Sequence, residues 1–232
     1  MPDGARAGGA GRGRRAGDRG RYGRLSRELV MASALNVVDR DGLSGLSMRG
    51  LGAELGVEAM ALYRYASGKD ELLDGLVGAF FLEVEAELGP EADDDWRAGL
   101  HRVALATYRV AMRHPNVVPL LATRLLSTPL ARRPEPVLRG DERLLALLAD
   151  LGDRRALALH RAFTAWLLGY LIVELRAMDD APEEPDPAFR LGLHRISAHD
   201  LPHLRATAPG LAERGGPETL AEGLDALLDR FG

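Results

Sequence analysis

From Leu25 onward the apolar residues recur at helical spacing, and nowhere does an alternating β-branched run of the kind a half-buried strand needs occur. The body of the chain is therefore expected to be all-α. Residues 26–40 set Val30, Ala34, Val37 and Val38 on one stripe, with Gly42 placed as a C-terminal cap. A second helix is expected to start after Ser47, whose hydroxyl can cap it, and to run to Leu55 with Gly56 as the stop. Leu51 and Leu55 face inward on this reading. Gly50 and Gly52 each cost about 1 kcal/mol relative to alanine, so the helix must lean on its neighbours or need a close backbone approach there. A short third helix over 58–65 follows a tight turn, and Ser67 and Gly68 separate it from a long fourth helix over 69–88.

The remainder reads as a second helical unit. Asp93, Asp94 and Asp95 favour a helix N-terminus through its dipole, and the fifth helix runs from Trp96 to about His114, where Pro115 stops it. Further helices are expected over 116–122, 136–151 and 153–178. In the last of these Ala162, Phe163, Trp166, Leu167, Tyr170, Leu171 and Val173 occupy more than half the circumference, which suits burial against both its own domain and a second subunit. A polar, proline-rich linker over 179–187 precedes a final helix over 218–230, with Leu220, Leu224, Leu227 and Leu228 on one face. The 153–178 and 218–230 helices are expected to form a four-helix bundle across a homodimer.

Cysteine does not occur, which removes disulfides, thiolate metal sites and cysteine nucleophiles together. No run of eighteen apolar residues is present, and the N-terminus lacks a signal peptide's apolar stretch, so a cytoplasmic protein with no membrane partner is expected. The net charge is −4, yet the first 24 residues carry seven arginines against two aspartates. That segment, rich in Gly, Ala and Arg, is expected to be a disordered basic arm suited to phosphates. Its glycines loosely resemble a dinucleotide fingerprint, but no strand precedes them.

The functional signal lies in 46–65. Two short helices meet across a Gly turn: Ala53 near the turn, Gly56 within it and Val57 after it are the small and apolar residues that closely crossing helices need. Such a helix-turn-helix can lay its second helix in a DNA major groove, about 12 Å wide. A plain helical hairpin satisfies the same spacing. Three side chains favour DNA: Tyr63, Tyr65 and Lys69 cluster where the third helix ends and the fourth begins, and their hydroxyls and ammonium suit phosphate oxygens. Lys69 is the chain's only lysine. Over the segment, Arg27, Arg40, Arg49, Arg64 and Lys69 are balanced by Glu28, Asp39, Asp41, Glu54 and Glu58, which leaves much of the electrostatic grip to the arm.

Residues 25–76 resemble the DNA-binding domain of the TetR family of repressors, through Gly42-Leu43-Ser44-Gly45-Leu46-Ser47, Leu55-Gly56-Val57, Leu62-Tyr63-Arg64-Tyr65 and Lys69-Asp70-Glu71-Leu72-Leu73. Residues 94–178 are more loosely similar to the tetracycline-repressor branch, through Trp96, Arg113-His114-Pro115 and Leu168-Gly169-Tyr170. The resemblance implies a basic arm over 1–24, a three-helix DNA-binding domain over 25–72, and a helical ligand-binding and dimerisation domain over 73–232, joined through the long fourth helix. It implies DNA contacts from Met48, Arg49, Ala59, Met60, Ala61, Tyr63, Arg64, Tyr65 and Lys69. Of these, Arg49 and Arg64 suit guanine, while Ala59, Met60 and Ala61 offer only apolar contact with thymine methyls. It implies an effector pocket lined by Glu85, Val103, Thr107, Leu121, Arg124, His160 and Thr164, fitting a moderately apolar organic ligand with a polar or anionic group. Leu121 stands where that branch places a magnesium-binding histidine, which argues against a metal-chelated drug.

The expected function is a homodimeric repressor, released from a palindromic operator by a small molecule, with no cofactor. A constitutive dimeric regulator with no effector and a helical enzyme remain as rival readings. Against the enzyme stand the want of a Ser-His-Asp context, a phosphate loop or zinc spacing. His199, Asp200 and His203 lie close in sequence, but Pro202 is expected to break the i, i+4 geometry a metal would need. His101 and His114 are expected to be structural.

Overall fold

The computed structural model describes residues 25–90, 95–175 and 199–231, together with 185, 186, 189, 192–195 and 197. The basic arm 1–24, Asp93, Asp94, the end of the 153–178 helix and most of the 179–187 linker lie outside the described residues. The helices are α1 (Arg27–Gly45), α2 (Met48–Leu55), α3 (Ala59–Leu62), α4 (Lys69–Leu88), α5 (Trp96–Arg113), α6 (Val118–Ser127), α7 (Glu135–Leu147), α8 (Asp153–Leu175), α9 (Pro202–Ala212) and α10 (Gly216–Leu228). No strand occurs among the described residues, so the all-α expectation holds.

Side-chain caps set the helix starts. Ser26 accepts from the Leu29 amide at 3.1 Å, Ser47 from Gly50 at 3.1 Å, and Asp95 from Arg97 and Ala98 at 3.2 and 3.3 Å. Gly42 sits at φ 70° and ψ 175° and kinks α1, after which helical bonding resumes to Gly45. The expected cap is thus a break inside the element. Pro115 opens a 3₁₀ turn (Pro115–Val117) that leads into α6, which extends to Ser127, beyond the expected end at 122. The expected 136–151 helix divides into α7 and a 3₁₀ turn (Ala149–Leu151). Pro202 does not break a helix: it begins α9, at the position where a missing N–H costs nothing. His199 precedes that helix and His203 lies within it.

Val30, Ala34, Val38, Leu46, Leu51, Leu62, Leu72 and Leu76 are buried together, packing α1–α3 around the start of α4. Gly75 on α4 admits the Met31 sulfur into the space a Cβ would fill, and Gly78 lets Pro134 pack closely, 3.2 Å from where a Cβ would stand. One continuous helix therefore packs against both halves of the chain, and the expected boundary after residue 72 falls inside it.

In the second half, Phe163, Leu167 and Leu171 form the buried face of α8, while Leu220, Leu224 and Leu228 of α10 turn inward against α5 and α8. The start of α10 is held by Glu174, a buried carboxylate that accepts from the Gly215 and Gly216 amides at 3.1 and 2.9 Å. Beside it, the Tyr170 hydroxyl donates to the Gly216 carbonyl at 2.7 Å. Burial, with the Glu174 charge nearby, pushes the Tyr170 phenol up to about 12. Ala158, Ala165, Gly169 and Val173 make an exposed stripe of small apolar side chains along the other side of α8.

Candidate functional site

The turn between α2 and α3 is closed by backbone bonds. Gly56, at φ 67° and ψ 33°, donates to the Ala53 carbonyl at 3.2 Å, and Val57 donates to Gly52 at 2.9 Å. This is the paired closure of a Schellman motif, and it needs a left-handed residue where Gly56 stands. The close crossing is made by Gly52. A Cβ there would lie 2.9 Å from the Val57 carbonyl oxygen and 3.2 Å from the Ala59 nitrogen. Ala53, which the sequence pattern gives part of this role, is exposed. α3 is also shorter than the expected 58–65: helical bonding stops at Leu62 and Tyr63–Tyr65 continue as turns.

Two cations of this unit are committed to ion pairs within the protein, and a third stacks on a ring. Arg27 donates to the Tyr65 carbonyl at 2.7 Å and to Glu71 at 3.3 Å, and Arg40 pairs with Asp41 at 3.0 Å and Glu54 at 3.3 Å. The Arg64 guanidinium lies over the Tyr65 ring at 4.8 Å. Arg49 and Lys69 are exposed and carry no ion pair among the described residues. Met60 is 77% exposed and Tyr63 45%, large apolar surface that none of the described residues covers. Met48, Ala59 and Ala61 are half-buried behind them.

Tyr65 behaves differently from Tyr63. Its hydroxyl donates to the Leu25 carbonyl at 2.7 Å, so its only O–H is not free for a phosphate oxygen, the role expected of it. Nearby, Glu71 accepts from the Ser67 amide at 2.8 Å. That bond, with Arg27 beside it, holds the Glu71 carboxyl below the usual carboxylate range.

Between α4, α5, α6, α7 and α8 lies a cavity of about 710 Å³. Glu85, Val103, Thr107, Leu121, His160 and Thr164 line it. Arg124 does not: it turns to α4 and pairs with Asp70 at 2.7 Å and Asp74 at 3.3 Å. Leu121 and Leu125 of the same helix line the cavity, so α6 touches the cavity with one face and the α4 start, next to Lys69, with another. A second link joins the halves where His114 bridges Asp39 of α1 at 2.7 Å and Glu83 of α4 at 3.0 Å. The expected structural role of His114 thus has named partners. Sequence reasoning missed Phe81, Arg133 and Asp141 as cavity residues. Only packing of α7 onto α4 and α8, with the residues just before α7, brings the last two there.

Comparison with known proteins gives two family-level matches. Residues 30–76 match the model of bacterial regulatory proteins, tetR family, and residues 89–230 match the tetracyclin repressor-like C-terminal domain. The HTH-type transcriptional repressor DrrR1 of Streptomyces coeruleorubidus is 37% identical over 130 residues, which span 55% of this chain and 45% of that protein. The tetracycline repressor protein class C of Escherichia coli is 27% identical over 207 residues, 88% of this chain and 89% of its own length. The crystal structure of a possible TetR family transcriptional regulator from Streptomyces coelicolor A3(2) superposes with a TM-score of 0.72 at 27% identity, covering 88% of this chain and 98% of that one.

Proposed function

The chain belongs to the tetR family of bacterial regulatory proteins, and on that premise we propose that it is a homodimeric transcriptional repressor whose grip on an operator is relaxed by a small molecule. One observation carries this reading: a closed helix-turn-helix exposing Arg49, Met60, Tyr63 and Lys69 is coupled through α4 and α6 to a large, mostly apolar cavity. The proposed DNA contacts are Met48, Arg49, Ala59, Met60, Ala61, Tyr63, Arg64 and Lys69, with Tyr65 acting as a brace behind them. The arginine arm 1–24 adds phosphate or minor-groove contacts. The cavity, of a size that suits organic ligands, favours the ligand-released repressor over a constitutive one. We assign the protein no reaction, and its place of work is the cytoplasm, where the operator is.

Dimerisation is proposed because one short reading helix spans few base pairs, whereas a two-fold dimer reads a palindrome. The exposed stripe of α8 supplies the surface. That helix is apolar and long enough, by composition, to cross a bilayer, yet only 28% of its apolar window is buried within the chain. Val173, 62% exposed, stands at the end of the stripe. The face of α10 carrying Leu220, Leu224 and Leu228 is already used inside the subunit, so α10 is proposed to join the bundle through its other side.

The experiment is selection of bound fragments from genomic DNA by the full-length protein. Enrichment of one palindromic sequence, with base preference flattened at one position of each half-site by Arg49→Ala, is the expected outcome. Recovery of unrelated fragments with no shared symmetry overturns the reading.

A further inference from the structure

Resting on the reading of the cavity as an effector site, we propose that His160 and Thr164 are its polar anchor and select a largely apolar molecule presenting a hydroxyl group. The two residues are four apart on α8, hence neighbours on one face, and both line the cavity. The His160 Nε2 lies 3.1 Å from Asp141 Oδ1. A carboxylate only accepts, so Nε2 carries a proton, and the tautomer with its proton there offers Nδ1 as an acceptor. Neither that nitrogen nor the Thr164 hydroxyl has a protein partner among the described residues.

The neighbouring charges are matched by the protein. Arg133 donates to Asp141 Oδ2 at 3.3 Å and to the Leu125 carbonyl at 2.6 Å, so Asp141 is held by a cation on one oxygen and an imidazole on the other. Glu85 is paired with Arg139 at 3.2 Å. The Thr107 hydroxyl donates back to the Val103 carbonyl at 2.7 Å. Glu142, Arg143 and Arg161 also line the cavity, and its apolar wall includes Phe81, Leu121 and Phe163. One ligand group satisfies both anchor atoms at once: a hydroxyl donates to Nδ1 and accepts from Thr164. An ether oxygen accepts from Thr164 but cannot donate to Nδ1.

The test is fluorescence titration of the full-length protein with 1-hydroxypyrene and 1-methoxypyrene at pH 7, where the hydroxyl is protonated. The hydroxyl probe is expected to bind about tenfold more tightly, the worth of roughly one well-made hydrogen bond. His160→Phe should remove that preference, because only the hydroxyl probe donates to the ring, whereas Thr164→Val should weaken both probes severalfold, since either oxygen can accept from Thr164. Thr164→Val is near-isosteric and keeps the test valid if His160→Phe fails to fold. Equal affinity for the two probes, a preference that survives His160→Phe, or unchanged affinities in Thr164→Val overturns the anchor and leaves the effector cavity standing. Failure of both probes to bind counts against the cavity reading itself, and the anchor falls with it.

Discussion

The Tyr65 hydroxyl donates to the Leu25 carbonyl across 2.7 Å, joining the end of the helix-turn-helix to the residue where the basic arm meets α1. The point from which the arm departs is thereby fixed beside the proposed reading surface. Arg27 reinforces the tie from the same turn, through the Tyr65 carbonyl and Glu71.

The two tyrosines should therefore separate in mutagenesis. Tyr65→Phe removes a partly buried bond and should cost about 1 kcal/mol of stability, read as a lowered midpoint in urea. Tyr63→Phe removes an exposed hydroxyl and should leave the midpoint unchanged while weakening operator binding in fluorescence anisotropy. The reverse pattern would refute the assignment of brace and contact.

Gly52→Ala should be among the most damaging single-atom additions to the chain. Its Cβ would meet the Val57 carbonyl at 2.9 Å, and both neighbours there are backbone that cannot swing aside. Overpacking of this kind costs about 1–3 kcal/mol. Gly210→Ala, on a helix with open space around the added carbon, is the control and should be neutral or stabilising. Thermal unfolding of the two variants checks the contrast.

Much of this architecture is legible in the residues. Ser26, Ser47 and Asp95 mark helix starts because short polar side chains reach free amides one turn on, and Gly56 marks a stop because only a left-handed residue closes the turn. Longer-range consequences are not legible. The acceptor for Tyr65 is a backbone carbonyl 40 residues away, which no local pattern announces. Resemblance places Arg124 in the cavity with Leu121, but three residues of helix rotate it off the line through Leu121 and Leu125, enough to carry its long side chain to Asp70 and Asp74. Pro202 reads equally as a breaker or a first residue, and only the chain before it decides.

Acid should loosen the reading unit in a defined direction. The Glu71 carboxyl is held low in the folded state, chiefly by the Ser67 amide and side chain and then by Arg27. Its contribution is therefore fully present above the unfolded carboxylate value of about 4.3 and is lost as pH falls through the depressed folded value. Urea midpoints measured from pH 7 down to pH 3 should decline less steeply at the acid end for Glu71→Gln than for the natural chain. Superimposable acid limbs would remove Glu71 from the account.

Arg49 and Lys69 should contribute in different ways, although both are exposed cations. Arg49→Ala should flatten base preference at a position in each half-site, costing about 1–3 kcal/mol there, and Arg64→Ala should act likewise at another. Lys69→Ala should weaken binding to all sequences alike and make the salt slope shallower by about 1 for each phosphate that Lys69 neutralises. Operator scans at two salt concentrations distinguish the two. Unchanged base preference in both arginine variants would contradict their role as readers.

The central claim, a two-fold dimer reading DNA through α2 and α3, is met most directly by a hydroxyl-radical footprint on the selected operator, with binding stoichiometry measured on the same fragment. The account predicts two or a higher even number of protomers per site and protection that is symmetric about a centre, with half-sites about one helical turn apart. A single protomer giving one asymmetric patch of protection would contradict it.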